Sequence, residues 1–303
     1  MRLTITLCTL SAIALAATAP SVALSRAGIA ARGAATGVLL VSNYTGSRVT
    51  IYDAASKTNP PPLGQIRNGL FGPQGLATDA SGNLYVADAN EFWIDRYANG
   101  SKTRSARLLT GRDQCPVDVA AGSDGTVYAA VEYCGVKPLI WGYLEEFAPG
   151  SLTPTLKIRV PGAFPMSVTL DASGNTYLGE TNNSNVSRIL RFAPGSTHGV
   201  DVGIRGIRWV GGMGFDSKAN FYVVDMLNAL INVYSRGSTT PWYTITSGLT
   251  FPRYLALASD DTLYVADANA NEVLEYAPGA TTPQATFSKG MNRPIGVALL
   301  PSW

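Results

Sequence analysis

A three-strand motif repeated six times predicts an all-β chain, folded as a six-bladed β-propeller with four-stranded antiparallel blades. Each copy holds an apolar first run, a turn, an alternating second run, and a third run that ends on an aromatic residue. The six aromatic residues are Tyr52, Tyr97, Phe147, Phe192, Tyr234 and Tyr276. Their successive spacings of 45, 50, 45, 42 and 42 residues match the length of a propeller blade.

The second strands alternate apolar and small side chains, which is the pattern of strands. In chain order they cover residues 38–43, 84–90, 127–134, 176–182, 221–228 and 263–271. Five of the six first strands open with proline, and the copy at 210–214 lacks it. Turns at 79–83 and 171–175 join first to second strands, and their glycines supply the positive φ of a hairpin turn.

The two ends of the repeat region are complementary. It begins on a second strand at 38–43, and the chain stops after a lone first strand at 294–300. We predict that Val297 and Leu299 lie antiparallel to residues 38–41 and complete the first blade. This closure removes the exposed sheet edge that a linear array would leave. Residues 37–303 are therefore predicted to form one domain.

Residues 1–27 have the features of a secretory signal peptide. Arg2 precedes an uncharged run, and small residues mark a cleavage site at Ala23 or Ala27. The alternative is a membrane anchor, for which the run is slightly short. Residues 28–36 are interpreted as a flexible leader. We expect a secreted or periplasmic monomer with no membrane attachment after cleavage. The net charge of +2 argues against nucleic acid as a partner.

Cysteine usage predicts one disulfide. Removal of Cys8 with the signal peptide leaves Cys115 and Cys134, an even number in an oxidising compartment. The two residues flank a predicted hairpin whose turn lies midway between them, at Asp124 and Gly125. A symmetric hairpin would place them directly opposite each other, within reach of a disulfide. The alternative is a pair of free thiols.

The motif resembles NHL-type β-propeller repeats over about residues 37–303. The resemblance rests on first strands such as 73–77, turns such as 79–83, and second strands that end in Asp, as in Tyr85-Val86-Ala87-Asp88. Blade one carries Ser42 and blade three Val131 in place of this Asp. The resemblance implies the fold and leaves function open, because such rings carry lyases, lactonases and binding modules without chemistry.

The catalytic sites known in similar propellers do not match this sequence. The amidating lyases hold zinc with several histidines, and this chain has one, His198. Virginiamycin-lyase-like propellers use a central histidine base, whereas His198 is predicted on an outer turn. Gluconolactonase-like propellers hold a cation with Glu, Asp and Asn at the inner strand openings. The corresponding residues here are Gln74, Val117, Met166, Gly211, Arg253 and Ile295.

Four carboxylates recur near the ends of second strands: Asp88, Glu180, Asp225 and Asp267, with Asp118 further inward. Oxygen ligands suit calcium or magnesium, so one hypothesis is a cation-dependent hydrolase or lyase. The alternative is that each carboxylate caps its own loop by accepting backbone N–H groups. Recurrence at one strand position favours the cap, and no cofactor is expected.

The distance from second-strand tyrosine to third-strand aromatic is longest in blades three and four, which predicts a ligand-binding face there. The added residues of blade three are predicted to form a loop. The candidate ligand-binding residues are Tyr133, Trp141, Tyr143, Asn182, Asn183 and Arg253. We therefore expect a binding or scaffold module for a protein, peptide or carbohydrate ligand, without catalysis. The alternative for the long segment is a loop folded onto its own blade.

Overall fold

The computed structural model describes residues 37–135, 141–301 and 303, and this part of the chain forms strands and connecting turns without an α-helix. The predicted signal peptide (1–27) and leader (28–36) lie outside the described residues, and both stay predictions. The alternation of side chains seen in the sequence is realised as β-structure, and most strands bury at least one face.

The strands fall into six groups along the chain. Blade one receives β1 (Val38–Asn43), β2 (Arg48–Asp53) and β3 (Gly64–Ile66). Blade two contains β4 (Pro73–Thr78), β5 (Leu84–Asp88), β6 (Trp93–Tyr97) and β7 (Arg104–Leu109). Blade three contains β8 (Gln114–Ala121), β9 (Val127–Tyr133), β10 (Trp141–Phe147) and β11 (Leu156–Pro161). Blade four contains β12 (Phe164–Leu170), β13 (Thr176–Thr181), β14 (Ser187–Phe192) and β15 (Val200–Asp201). Blade five contains β16 (Val210–Phe215), β17 (Phe221–Asp225), β18 (Leu230–Tyr234) and β19 (Tyr243–Ile245). Blade six contains β20 (Pro252–Leu257), β21 (Leu263–Asp267), β22 (Glu272–Tyr276) and β23 (Ala285–Phe287). The last strand of the chain is β24 (Pro294–Leu300).

These strands form six four-stranded antiparallel sheets, and the inner strands contact one another in a ring. The prediction of a six-bladed β-propeller is confirmed. Blade one has the order β24-β1-β2-β3, so the C-terminal strand closes the ring. Val297 pairs with Val41, and Leu299 pairs with Leu39, as the two chain ends predicted. The hydrophobic core is distributed between adjacent blades rather than concentrated in one centre.

Three of the recurring third-strand aromatics hold their blade to the segment that leads into it. Tyr52, Tyr97 and Tyr276 are fully buried. Their hydroxyl groups donate to the carbonyl oxygens of Lys289 (2.8 Å), Asn68 (2.6 Å) and Ser247 (2.7 Å). A buried tyrosine needs such a partner, and the loop carbonyl supplies it. This accounts for the tyrosine at this position in blades one, two and six.

Every blade has one extra residue in its inner strand, and the strand pairing corrects one sequence alignment. In blade two, Asp88 pairs with Pro73, and the register shifts before Leu76 pairs with Val86. In blade one, the residue that pairs with the opening proline, Pro294, is Asn43. The equivalent of the recurring Asp is therefore Asn43 and not Ser42. The pairing of second and third strands gives the same equivalence, because Leu39 pairs with Tyr52 as Leu84 pairs with Tyr97.

Candidate functional site

Three aromatic residues of blade three form a continuous, partly exposed surface, here called the aromatic surface: Tyr133, Trp141 and Tyr143. Tyr133 and Trp141 stack with ring centroids 4.5 Å apart. Trp141 and Tyr143 meet edge to face at 5.2 Å. Both geometries are favourable for aromatic pairs. The structure thus brings together three of the six predicted ligand-binding residues.

The aromatic surface is built on strands and not on a loop, which corrects the sequence interpretation. Tyr133 is the last residue of β9, and Trp141 is the first residue of β10. Trp141, Tyr143, Glu145 and Phe147 alternate as a strand requires, so the signal was present in the sequence. Residues 137–140, also predicted in this loop, lie outside the described residues.

Two cationic side chains border the aromatic surface. The Arg159 guanidinium lies 5.3 Å from the centre of the Trp141 ring, and Lys157 Nζ lies 4.6 Å from that of Tyr143. Lys157 also pairs with the buried Glu145 carboxylate at 2.6 Å, where burial raises the pKa of Glu145 to about 7. Arg159 is exposed and makes no ion pair within the described ranges. The surface therefore offers aromatic faces beside an available positive charge.

The predicted disulfide is present beside this surface. Cys115 in β8 and Cys134, directly after β9, are bonded with their Cα atoms 5.9 Å apart. The predicted directly opposed geometry is wrong, because Cys115 pairs with Glu132, two residues before Cys134. The bulge between Pro116 and Asp118 contributes to this offset. The bond is therefore diagonal, and it fixes the segment that begins after Tyr133.

Loss of this disulfide is expected to destabilise the folded protein by about 3 kcal/mol. The bond closes a loop in the unfolded chain and lowers its conformational entropy, so the bonded chain loses less entropy on folding. The comparison is urea unfolding of the oxidised protein and of a Cys115→Ala/Cys134→Ala variant. Dithiothreitol should lower the urea midpoint of the oxidised protein and leave that of the Cys115→Ala/Cys134→Ala variant unchanged. Free-thiol titration of the denatured, unreduced mature protein should give zero, and a value of two would contradict the bond.

Asn182 and Asn183 lie on blade four, in the turn between β13 and β14. The Asn182 side-chain oxygen accepts hydrogen bonds from the N–H groups of Ser184 (2.9 Å) and Val186 (3.0 Å), so it shapes its own turn. Asn183 is exposed. Gly142 packs tightly on Pro165 of blade four. Its strand neighbours Trp141 and Tyr143 project from the other side of the blade three sheet, away from blade four. The aromatic surface and the asparagine turn therefore face different neighbours.

Arg253 occupies the central mouth on the face where inner strands begin. Its guanidinium lies 5.7 Å from the Phe251 ring centre, and its buried Nε has no hydrogen-bond partner in the described part of the chain. Burial lowers the pKa of Arg253. This residue lies on blade six, so it is separated from the aromatic surface along the ring.

Three of the four recurring carboxylates accept hydrogen bonds from backbone N–H groups at the entrance to their own blade. Asp88 accepts from Phe71 (2.8 Å) and Gly72 (2.7 Å). Asp267 accepts from Thr250 (2.6 Å), and Asp225 accepts more weakly from Arg208 (3.2 Å). Asn43 accepts from Asn292 in the same way, at 2.7 Å. Burial raises the pKa of Asp88 to about 6. These groups cap the segments that lead into the inner strands.

Glu180 differs from the other three, because it forms an ion pair with Arg188. Across residues 37–135, 141–301 and 303, no three His, Cys, Asp or Glu side chains lie close enough to hold a metal ion. The calcium or magnesium site stays a prediction, as does the cation-dependent hydrolase or lyase built on it. His198 is exposed between β14 and β15, as expected for a residue on an outer turn.

The centre of the ring contains a feature that the sequence interpretation missed. Tyr254 is buried in the channel, and its hydroxyl donates to the carbonyl oxygens of Val117 (3.1 Å) and Met166 (2.7 Å) on two other blades. Tyr254 thereby blocks the channel near the face where inner strands begin. Beyond it lies a cavity of about 550 Å³ that opens where inner strands end. The signal in the sequence was Tyr254 itself, where other blades have Gly75, Ser167 or Gly296.

Comparison with known proteins agrees with this architecture. No family model and no curated protein matches the sequence. A chain of the nidogen/laminin complex superposes with a TM-score of 0.69 and 16% identity, covering 88% of this chain and 99% of that chain. A protein of unknown function from Bacteroides caccae gives 0.65 and 10%, covering 86% and 97%. Hydrazine synthase from Kuenenia stuttgartiensis gives 0.55 and 14%, covering 82% and 94%.

No helix capable of crossing a bilayer occurs among the residues that the structure describes. The similarity to solved structures, at 10% to 16% identity, shows the fold alone: the described part of the chain is a six-bladed β-propeller, which carries the Cys115–Cys134 disulfide.

Proposed function

We propose that this protein is an exported binding or scaffold module for a protein, peptide or carbohydrate ligand, and that it has no catalysis of its own. The observation that carries the proposal is the aromatic surface beside the disulfide. Stacked aromatic side chains on fixed strands lose little entropy on binding and offer a large contact area. Arg159 adds a positive charge that favours acidic groups in the ligand.

Three further observations support the proposal. The Cys115–Cys134 disulfide is consistent with an oxidising, extracellular or periplasmic environment. The three recurring aspartates have local structural roles, so they do not need a catalytic explanation. One structural neighbour was solved in a complex between proteins, nidogen and laminin. Asn182, Asn183 and Arg253 lie apart from the aromatic surface and stay proposed as further ligand contacts at the same end of the ring.

The test is a screen of the mature protein against arrays of neutral and acidic oligosaccharides and of peptides. A Trp141→Ala/Tyr143→Ala variant should lose about thirtyfold in affinity for any ligand bound by the unmodified protein, as for a binding hot spot. The matched control is Trp242→Ala, because Trp242 is 68% exposed and contacts Tyr243 edge to face at the same 5.2 Å. Its affinity should not change.

Unchanged affinity in the Trp141→Ala/Tyr143→Ala variant, at an unchanged melting temperature, would place the binding site elsewhere. Turnover of an array ligand by the unmodified protein would contradict the absence of catalysis.

A further inference from the structure

The cavity at the centre of the ring has the size of a ligand site. Its volume of about 550 Å³ lies within the range of small-molecule pockets, roughly 300–1,000 Å³. Tyr254 closes it at one end, and it opens on the face opposite the one where inner strands begin. It is therefore distinct from the aromatic surface in position and in chemistry.

The cavity wall is largely apolar. Inner strands of several blades contribute Leu76, Leu170, Met213, Leu255 and Leu299. Such a wall favours an apolar body, because apolar surface removed from water contributes about 25 cal/mol per Å². An apolar wall is compatible with both neutral and charged ligands. The ligand class is therefore inferred from the polar groups that line the cavity.

The charged residues of the cavity are all acidic. Asp118, Asp171 and Asp216 line it, and no Lys, Arg or His does so within the described residues. Asp171 and Asp216 use their oxygens in their own turns, with Asn175 and Asn220. The described lining therefore has acidic groups and no cationic one, which is complementary to a cation.

Asp118 has no turn to cap. It lies between the inner strands of blades three and four and is 6% exposed. Its Oδ1 accepts from the N–H of Val119 at 2.9 Å. Its Oδ2 accepts from Ser167 Oγ at 3.0 Å and from the N–H of Val168 at 2.9 Å. No cationic side chain in the described ranges pairs with it. A carboxylate has about four acceptor positions, so these three hydrogen bonds do not saturate Asp118.

We propose that this cavity binds a small organic ammonium ion, with its apolar body against the aliphatic wall and its ammonium group beside Asp118. Apolar contact and charge complementarity then act on the same molecule. The ligand class follows from the pairing of an aliphatic wall with a buried carboxylate that lacks a cation. This proposal does not depend on the function proposed for the aromatic surface.

Calorimetric titration of the mature protein with three indole compounds tests the ligand class. Tryptamine carries an ammonium group, tryptophol replaces it with a hydroxyl, and indole-3-propionate carries a carboxylate. Tryptamine should bind saturably and at least about tenfold more tightly than tryptophol, because a hydrogen bond to a charged group contributes more than a neutral one. Indole-3-propionate should not bind. Equal affinities, or no saturable binding of tryptamine at millimolar concentration, would overturn the proposal.

Two variants locate the binding. Asp118→Asn should abolish the preference for tryptamine over tryptophol. Leu170→Trp, at a partly exposed position of the cavity wall, should weaken tryptamine binding by filling the space, and it tests the site even if Asp118→Asn does not fold. The Trp141→Ala/Tyr143→Ala variant should bind tryptamine like the unmodified protein. Full affinity in Leu170→Trp, or a retained preference in folded Asp118→Asn, would contradict the assignment.

Discussion

Deletion of residues 294–303 is expected to abolish the cooperative unfolding transition of the protein. The deleted segment contains β24, the inner strand of blade one, whose seven residues are all buried. Burial of Ile295, Val297, Leu299 and Leu300 contributes about 1.5–3 kcal/mol of stability each, and the deletion removes this contribution. The sum is comparable to the whole stability of a typical domain, about 5–15 kcal/mol. The deletion also exposes the backbone edge of β1, which favours aggregation.

The measurement is thermal unfolding followed by circular dichroism, with a deletion of residues 301–303 as the control. The control retains all of β24 and should still melt cooperatively. A 294–303 deletion that melts like the intact protein would show that the ring does not need its C-terminal strand.

Asp267→Ala is expected to reduce the free energy of unfolding by about 3–5 kcal/mol, because it removes several hydrogen bonds to one buried carboxylate. The Asp267 carboxylate is fully buried. It accepts hydrogen bonds from the N–H groups of Thr250 (2.6 Å), Phe251 (2.9 Å) and Ala270 (3.1 Å). Asp267→Asn should lose less, since Asn43 performs the same role in blade one with an amide oxygen.

Urea unfolding of the two variants, with and without calcium or magnesium, separates a structural cap from a cation ligand. The cap predicts the same loss of stability with and without the cation. A cation that stabilises the unmodified protein and not Asp267→Ala would contradict the cap and would favour the hydrolase or lyase hypothesis.

The fold could be predicted from the sequence because its signals are local. Alternating side chains, Asp- and Gly-containing turns and a regular aromatic spacing each specify one part of a blade, and the unmatched end strands specify closure. The register could not be predicted to the residue. Each inner strand carries one extra residue, and in blade three this bulge contributed to the displaced partner of Cys115. The equivalent of Asp88 in blade one was misaligned by one residue, because β1 has no Asp to mark the position.

The candidate sites depend on contacts between residues far apart in the chain. Tyr133 and Trp141 were predicted together because they are close in sequence and because the chain is longer there. The cavity was missed, since it needs Asp118, Leu170 and Tyr254 from three blades to meet around one axis. Such a juxtaposition becomes visible only when the ring is closed.

The most direct test of the proposed binding site is ¹⁹F NMR of the mature protein labelled with 5-fluorotryptophan. The chain has five tryptophans, and substitution of each in turn assigns its resonance. Addition of a ligand identified on the arrays should shift the resonance of Trp141, at the aromatic surface, and leave that of the exposed Trp242 unchanged. A ligand that binds at saturation without moving the Trp141 resonance would contradict the account.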